Sequence, residues 1–176
     1  GEYKVEETYK LTGKKAVFAI NEVGMDDYPG VTLTLRGYDG TDFKLVQTFK
    51  AKGATRQKAI ENAHMVDYFV ATKDSTITFD SNVQFKNDAV FRVQRLDMVL
   101  YIPFGYPFIM NEATSRFISQ YIEHENLDGY TWQMTDKGLT CITCPKSQEE
   151  DEDEGKIEDQ FGLTKFDELD IRGVFD

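Results

Sequence analysis

Apolar and polar residues alternate along most of this chain, as they do in strands that bury one face. Residues 31–35 read Val-Thr-Leu-Thr-Leu, and residues 43–50 place Phe43, Leu45 and Phe49 on one side. Turns that contain glycine separate such runs at short intervals. A period of two residues bounded by turn residues is typical of half-buried strands. The pattern predicts a mainly β domain built from stacked sheets or from a solenoid-like β arrangement.

Further strands are predicted on either side of these runs. Residues 2–11 suit an edge strand or an ordered lead-in, and residues 131–141 suit a hairpin with a tight turn. Residues 90–102 contain no Gly or Pro, and their apolar parity shifts between Val93 and Leu96. We therefore expect one long strand there, or two strands joined across a bulge.

One segment has the longer period of a helix. Gly53 breaks the preceding strand, and the hydroxyl of Thr55 can cap a helix that starts after it. Ala59 and Ala63 then recur on one face, and the apolar pattern continues beyond them. We predict one α-helix over about residues 55–69 that packs on a face of the β domain.

The distribution of acidic residues predicts the domain boundaries in the rest of the chain. Six of its 31 carboxylates fall in the uninterrupted acidic run at residues 149–154. Such a run lacks the turn residues that a calcium loop needs, so a solvated linker is the better interpretation. We predict a β-rich domain with one helix at 1–146 and an acidic linker at 147–160. Residues 161–176 are predicted to begin a following β-repeat module or to add an edge strand.

The overall charge limits the partners. A net charge of −11 argues against nucleic acid and against an anionic membrane surface, because both attract clustered Lys and Arg. The sequence contains no apolar run of about 18 residues that could span a bilayer. It starts with Gly1 rather than Met, so we expect a piece of a longer protein whose membrane segments lie elsewhere.

The pair Cys141 and Cys144 is the most conspicuous chemical motif. A redox dithiol usually opens a helix, whereas Pro145 and acidic residues follow here. A structural zinc site needs about four ligands, and the chain has only two Cys and two His. The residues favour a local disulfide, with free thiols or a redox or metal-dependent protein as the alternatives. We expect no cofactor, no bound metal and no catalytic residue.

Aromatic residues cluster near the end of the predicted strand at 90–102. If exposed, they could form a surface that binds a glycan or a peptide, although aromatic residues at strand ends more often belong to the core. The residues of this candidate surface are Tyr101, Phe104, Tyr106, Phe108 and Trp132.

Several motifs in a fixed order point to a known family. They occupy residues 53–59 (GATRQKA), 74–80 (DSTITFD), 92–94 (RVQ), 101–105 (YIPFG) and 132–144 (WQMTDKGLTCITC). In these motifs the chain resembles the extracytoplasmic region of Bacteroidetes proteins that carry a PspC-type (phage-shock-protein C-like) membrane module. Residues 166–175 resemble the opening of the β-repeat domains called auto-transporter adhesins or head GIN domains.

The resemblance implies a periplasmic or cell-surface part of a membrane-anchored envelope protein, and it transfers no catalytic residue. We therefore expect a non-enzymatic module that is adhesin-like or senses stress or a ligand. Its partner would be a protein or a glycan, or the module would self-associate through β surfaces. The alternative is a redox or metal-dependent protein that uses Cys141 and Cys144.

Overall fold

The structure is a computed structural model, and it describes residues 1–21, 30–86, 92–122 and 129–145. Gly1–Thr143 form one compact unit, and a second unit begins at Cys144. The predicted linker at 147–160 and the predicted module at 161–176 lie outside the described residues, so both stay predictions.

Twelve strands and two helices are present in the described residues, and the prediction of a mainly β fold is confirmed. In chain order they are β1 (Glu2–Tyr9), β2 (Ala16–Asn21), β3 (Val31–Tyr38), β4 (Phe43–Lys50), α1 (Arg56–Ala63), β5 (Val66–Asp67), β6 (Val70–Lys73), β7 (Thr76–Asp80), β8 (Gln84–Phe85), β9 (Arg95–Pro103), β10 (Phe108–Met110), α2 (Glu112–Phe117), β11 (Thr131–Thr135) and β12 (Gly138–Cys141).

The strands form two main sheets and one small ladder. Sheet I has the order β1-β4-β9-β3, and sheet II has the order β12-β11-β10-β2-β7-β6. Strands β5 and β8 pair separately. Both main sheets are mixed, because β3 runs parallel to β9 while β2 runs parallel to β7 and β10. In the strand orders of these two sheets, the edge strands are β1 and β3 in sheet I, and β6 and β12 in sheet II.

The core lies between the two sheets. Phe43 of sheet I and Phe18 of sheet II are each 1% exposed, and their rings meet edge to face with centroids 6.0 Å apart. In β4, Phe43, Leu45 and Phe49 point inward as the alternation predicted. Burying one such large apolar side chain contributes about 1.5–3 kcal/mol, so these inward rows hold the sheets together.

The helix begins where the sequence predicted but ends earlier. The Thr55 hydroxyl accepts a hydrogen bond from the Lys58 N–H at 3.1 Å, and Ala59 and Ala63 are buried as α1 packs against β1 and β4. The predicted end near residue 69 is wrong, since α1 stops at Ala63. Val66–Asp67 instead pairs with β8, because β-branched and aromatic residues also suit a strand.

The predictions of an edge strand over residues 2–11 and of a hairpin over residues 131–141 are confirmed. Among the described residues strand β1 pairs with β4 alone, and β11 pairs with β12 in an antiparallel register. Of the strand predicted over residues 90–102, β9 begins at Arg95 and residues 92–94 are not part of it, while residues 90–91 lie outside the described residues. Val93 has a φ of +56°, which interrupts extended backbone and accounts for the shift in apolar parity near that residue.

Candidate functional site

Strand β3 has one edge that β9 does not cover, and part of this edge is occupied by residues that follow α2. The C=O of Leu33 accepts a hydrogen bond from the Ser119 N–H at 2.7 Å. The side-chain amide of Gln120 accepts one from the Leu35 N–H at 3.2 Å and donates one to the Leu35 C=O. A glutamine side chain thus takes the place of a partner strand.

Gly37 carries the next outward-facing backbone groups on this edge. Alternate residues of a strand present their N–H and C=O to the same side, so Gly37 follows Leu33 and Leu35. Among the described residues, no group hydrogen-bonds to the N–H or C=O of Gly37 toward this side. A Cβ at Gly37 would lie 2.4 Å from Cε1 of Phe104, so the aromatic ring packs directly on the glycine.

Strand β12 is the edge of sheet II that lies beside β3. The Ile142 N–H donates to the Thr131 C=O at 2.8 Å, which fixes the hydrogen-bonded positions of the hairpin. Counting along the antiparallel register from that pair, Leu139 lies opposite Met134 at a position without ladder hydrogen bonds. The N–H and C=O of Leu139 therefore face away from β11.

A groove of about 520 Å³ is lined by residues of both strands. We call it the edge groove; its walls include Gly37, Phe104, Gln120, Tyr121, Lys137 and Leu139. Two aromatic side chains are exposed to solvent there: Phe104 is 46% exposed and Tyr121 is 86% exposed. The edge groove thus combines exposed apolar surface with backbone groups of Gly37 that no described residue pairs on this side.

The charge of the edge groove differs from that of the whole chain. Arg36 and Lys137 contribute two cations and Asp136 one carboxylate, whereas the chain as a whole carries −11. Arg36 lies over the Tyr101 ring, with Cζ 5.9 Å from the centroid. Because Tyr101 lies on the outer face of sheet I, the charge of Arg36 is directed to that face, and Lys137 and Asp136 are the charged residues that remain at the groove.

The structure separates the five aromatic residues that the sequence grouped as one surface. Phe108 and Trp132 are 0% and 4% exposed, so including them was wrong: both lie in the paired centre of sheet II and point to the core. Tyr101 is half-buried on the outer face of sheet I. Tyr106 is also half-buried, and its hydroxyl donates to the Gly13 C=O at 2.9 Å. Phe104 alone of the five lines the edge groove.

Both cysteines are disulfide-bonded in the structure. Cys141 is the last residue of β12, and no helix follows within the described residues up to Pro145. The helix N-terminus that activates a redox thiol is therefore missing from that stretch. In the described part of the chain, no three His, Cys, Asp or Glu side chains come close enough together to hold a metal ion.

Sequence reasoning missed most of the edge groove. Gln120 and Tyr121 fall in a segment whose pattern fits both helix and strand, and Gly37 lies close to Gly40 in a stretch whose composition is typical of a turn. Gln120 reaches Leu35 across 85 residues of sequence, a distance over which no local pattern carries a signal. The sequence did supply two parts of the groove, Phe104 and the hairpin turn at residues 136–138.

A family match covers most of the chain. Residues 21–147 match the family described as the ToastRack found in some PspC proteins. The chain belongs to the ToastRack family. This family has a solenoid-like β fold and is not a known enzyme family. No curated protein and no solved structure matches the chain significantly. The relation to Bacteroidetes and to adhesin repeats stays a prediction.

None of the helices that the structure describes is long and apolar enough to cross a membrane.

Proposed function

We propose that this ToastRack domain is a non-enzymatic, extracytoplasmic ligand-binding module of a membrane-anchored envelope protein, and that the edge groove is its binding site. Its role would be adhesin-like or the sensing of stress or of a ligand. The observation that carries the proposal is the edge groove itself, which leaves Phe104 and Tyr121 exposed between two strand edges. Exposed aromatic residues beside a concave surface are typical of binding sites.

The family supports the proposed location. ToastRack domains occur in some PspC proteins, and the sequence resembles the extracytoplasmic region of proteins with a PspC-type membrane module. Structural disulfides persist in oxidising compartments, so a disulfide between Cys141 and Cys144 agrees with export.

The location is tested on the full-length protein in its own membrane. Thiols are blocked in intact cells, and the mass of the domain is measured with and without reductant. We expect the mass of the domain to rise by that of two hydrogen atoms when its disulfide is reduced. We also expect protease added outside the cytoplasmic membrane to cleave the domain. Two free thiols together with protection from that protease would contradict the proposed location.

The binding site is tested with matched aromatic variants. Phe104→Ala and Tyr121→Ala remove rings from the edge groove, and Phe69→Ala removes a ring that is 57% exposed elsewhere. The wild-type protein and the three variants are screened against an array of bacterial glycans and against a library of random peptides displayed on phage. We expect ligands of the wild-type protein to lose about tenfold in affinity with the groove variants and to keep it with Phe69→Ala. Equal binding by all three variants would refute the edge groove as the site.

A further inference from the structure

We propose that two copies of this chain pair through the outward edge of β1, with the two β1 strands antiparallel and Val5 at the two-fold axis. This inference goes beyond the proposed function, because no residue of the edge groove takes part in the contact. Such pairing joins the two copies of sheet I into one continuous sheet and covers an edge that would otherwise be open.

Strand β1 has a row of backbone groups on its outward side. The Gly1 nitrogen and the Ala51 N–H each donate to the carbonyl of the other residue, which fixes the ladder between β1 and β4. Counting from that pair, the even residues of β1 face away from β4. The outward N–H and C=O groups belong to Glu2, Lys4, Glu6 and Thr8. Although α1 packs against β1, no group of the described residues hydrogen-bonds to this row.

The exposed side chains of the same row alternate in charge, in the order Glu2, Lys4, Glu6. Lys4 makes no ion pair with any described residue, whereas Glu6 lies 3.5 Å from the Nζ of Lys44. A row with a single charge sign would repel a second copy in every register, and natural edge strands use charge in this way to avoid pairing. An alternating row can instead be complementary to itself.

Ladder geometry and charge together select one register. Outward groups must meet outward groups, so the even residues of one strand lie opposite even residues of the other. With Val5 on the axis, Lys4 lies opposite Glu6 of the second copy. Moving the axis by one residue puts Lys4 opposite a second Lys4, or Glu6 opposite a second Glu6. Like charges directly opposite each other destabilise a sheet, so the register centred on Val5 is favoured.

The register centred on Val5 also uses the whole edge. Glu2 lies opposite Thr8 of the second copy, so every outward residue of both strands has a partner, and each such pair exchanges two hydrogen bonds. The two Val5 side chains meet at a pair without ladder hydrogen bonds, where opposite side chains are closest. Two symmetry-related pairs of Lys4 with Glu6 lie on the other face.

Charge reversal is the decisive test, because it leaves every backbone hydrogen bond in place. Sedimentation equilibrium of the chain should show monomer and dimer, and Lys4→Glu should weaken the dimer at least about tenfold, since two attractive pairs become repulsive. Adding Glu6→Lys to Lys4→Glu should restore the wild-type dissociation constant, although the contact with Lys44 stays broken. Lys14→Glu is the control for net charge, because Lys14 is exposed and lies outside β1. It should change the dissociation constant less than about twofold.

A proline test isolates the backbone contribution. Thr8→Pro removes an outward N–H and leaves the ladder with β4 intact. Thr72→Pro is the matched control on the edge strand β6, where the hydrogen bond from the Asp80 N–H to the Phe69 C=O places the Thr72 N–H outward as well. We expect Thr8→Pro to weaken the dimer about tenfold and Thr72→Pro to leave it unchanged. Circular dichroism of both variants should match that of the wild type.

A single new cysteine tests the register. Val5→Cys places two thiols opposite each other at the axis, and glutathione disulfide should oxidise them to a covalently linked dimer. Thr8→Cys places the two thiols about 20 Å apart along the strands and should not link them. Cys141 and Cys144 are already disulfide-bonded and do not compete.

Each contrary result overturns the proposal. A monomer at every concentration up to about 1 mM would show that β1 does not pair with itself. A dimer that Thr72→Pro weakens and Lys4→Glu does not would assign the contact to β6. Linking through Thr8→Cys rather than Val5→Cys would contradict the register. None of these results bears on the edge groove, so the proposed function is tested separately.

Discussion

The two ends of the sandwich differ in how they are packed. At one end, which we call the closed side, α1 packs against β1 and β4. The Tyr3 ring there stacks on Phe49 with centroids 4.8 Å apart and on His64 at 3.8 Å. At the other end, the open side, β3 and β12 line the edge groove, and among the described residues Gln120 and its neighbours cover part of the β3 edge. Side chains and a helix fill the first end, while the second has an open groove.

Tyr9 and Tyr68 are half-buried, unlike Tyr121 in the edge groove. Burial raises the pKa of Tyr68, whose hydroxyl donates to the Asp80 C=O at 2.6 Å. The pKa of Tyr9 is raised mainly by burial and further by its hydrogen bond to Glu7. In the edge groove, by contrast, Tyr121 stands almost wholly in solvent. Within one fold, the edge strand β1 is packed under a helix, while the groove that we propose as a binding site leaves an aromatic ring in solvent.

The largest expected difference between the sides comes from two glycines. A Cβ at Gly53 would lie 2.4 Å from the backbone nitrogen of Ala59, which cannot move without shifting α1. We expect Gly53→Ala to lower the free energy of unfolding by about 3 kcal/mol, the upper part of the usual range for overpacking. The same change at Gly37 meets the Phe104 ring, which can turn toward solvent, and the Cβ of the buried Met134 at 3.0 Å, so it should cost about 1 kcal/mol, the lower end of the range for overpacking. Urea unfolding of both variants measures this, and equal losses would show that the open side is packed as rigidly as the closed one.

The next effect concerns the aromatic stack of the closed side. Tyr3→Ala removes a ring that contacts both Phe49 and His64, and we expect a loss of about 2 kcal/mol from burial and stacking together. Tyr3→Phe is the control, because it keeps the ring and should cost less than about 0.5 kcal/mol. Thermal unfolding measures both variants. A loss with Tyr3→Phe as large as with Tyr3→Ala would assign the effect to the hydroxyl instead.

A third prediction concerns the outer face of sheet I, where Asp97 on β9 links the neighbouring strands. Its carboxylate accepts hydrogen bonds from Lys50 at 2.7 Å and from Thr32 at 2.9 Å, and Arg95 lies beside it. Partial burial raises the pKa of Asp97, but the hydrogen bonds from Lys50 and Thr32 and the charges of Arg95 and Lys50 outweigh it. The net result is a pKa below the usual 3.8.

Because the pKa is lowered in the folded state, the ionised carboxylate stabilises the protein above the ordinary pKa of aspartate. That stability is lost as the pH falls through the lowered value. We expect Asp97→Asn to cost about 1 kcal/mol at pH 7, and the difference from wild type to shrink toward zero as Asp97 becomes protonated in acid. Urea unfolding from pH 7 down to pH 3 measures this. A difference that stays constant over this range would show that the charge of Asp97 is not what stabilises.

The smallest expected effect on stability is on the open side. Tyr121→Ala should change the free energy of unfolding by less than about 0.5 kcal/mol, because the ring is already in solvent. The melting temperature of the variant checks this alongside its ligand binding. A loss above about 1 kcal/mol would mean that Tyr121 supports the fold and would weaken the assignment of this ring to a ligand.

Local features of the structure could be predicted from the sequence. The inward rows of β4, the Thr55 cap and the β11–β12 hairpin each depend on residues only a few positions apart. Alternation and capping chemistry are therefore visible in the sequence itself. The end of α1 was missed because the residues after Ala63 fit both a helix and a strand, and pairing with β8 decided between them.

The sequence by itself determined the strand rhythm, the start of the helix and, through its ordered motifs, the family. Only the tertiary structure decided which strand edges meet and which aromatic residues face solvent. Phe104 and Phe108 are four residues apart and equally apolar, yet one lines the edge groove and the other is fully buried. The reason is physical: exposure depends on what the remote strands β2, β3 and β11 place beside each ring, and sequence spacing does not record those contacts.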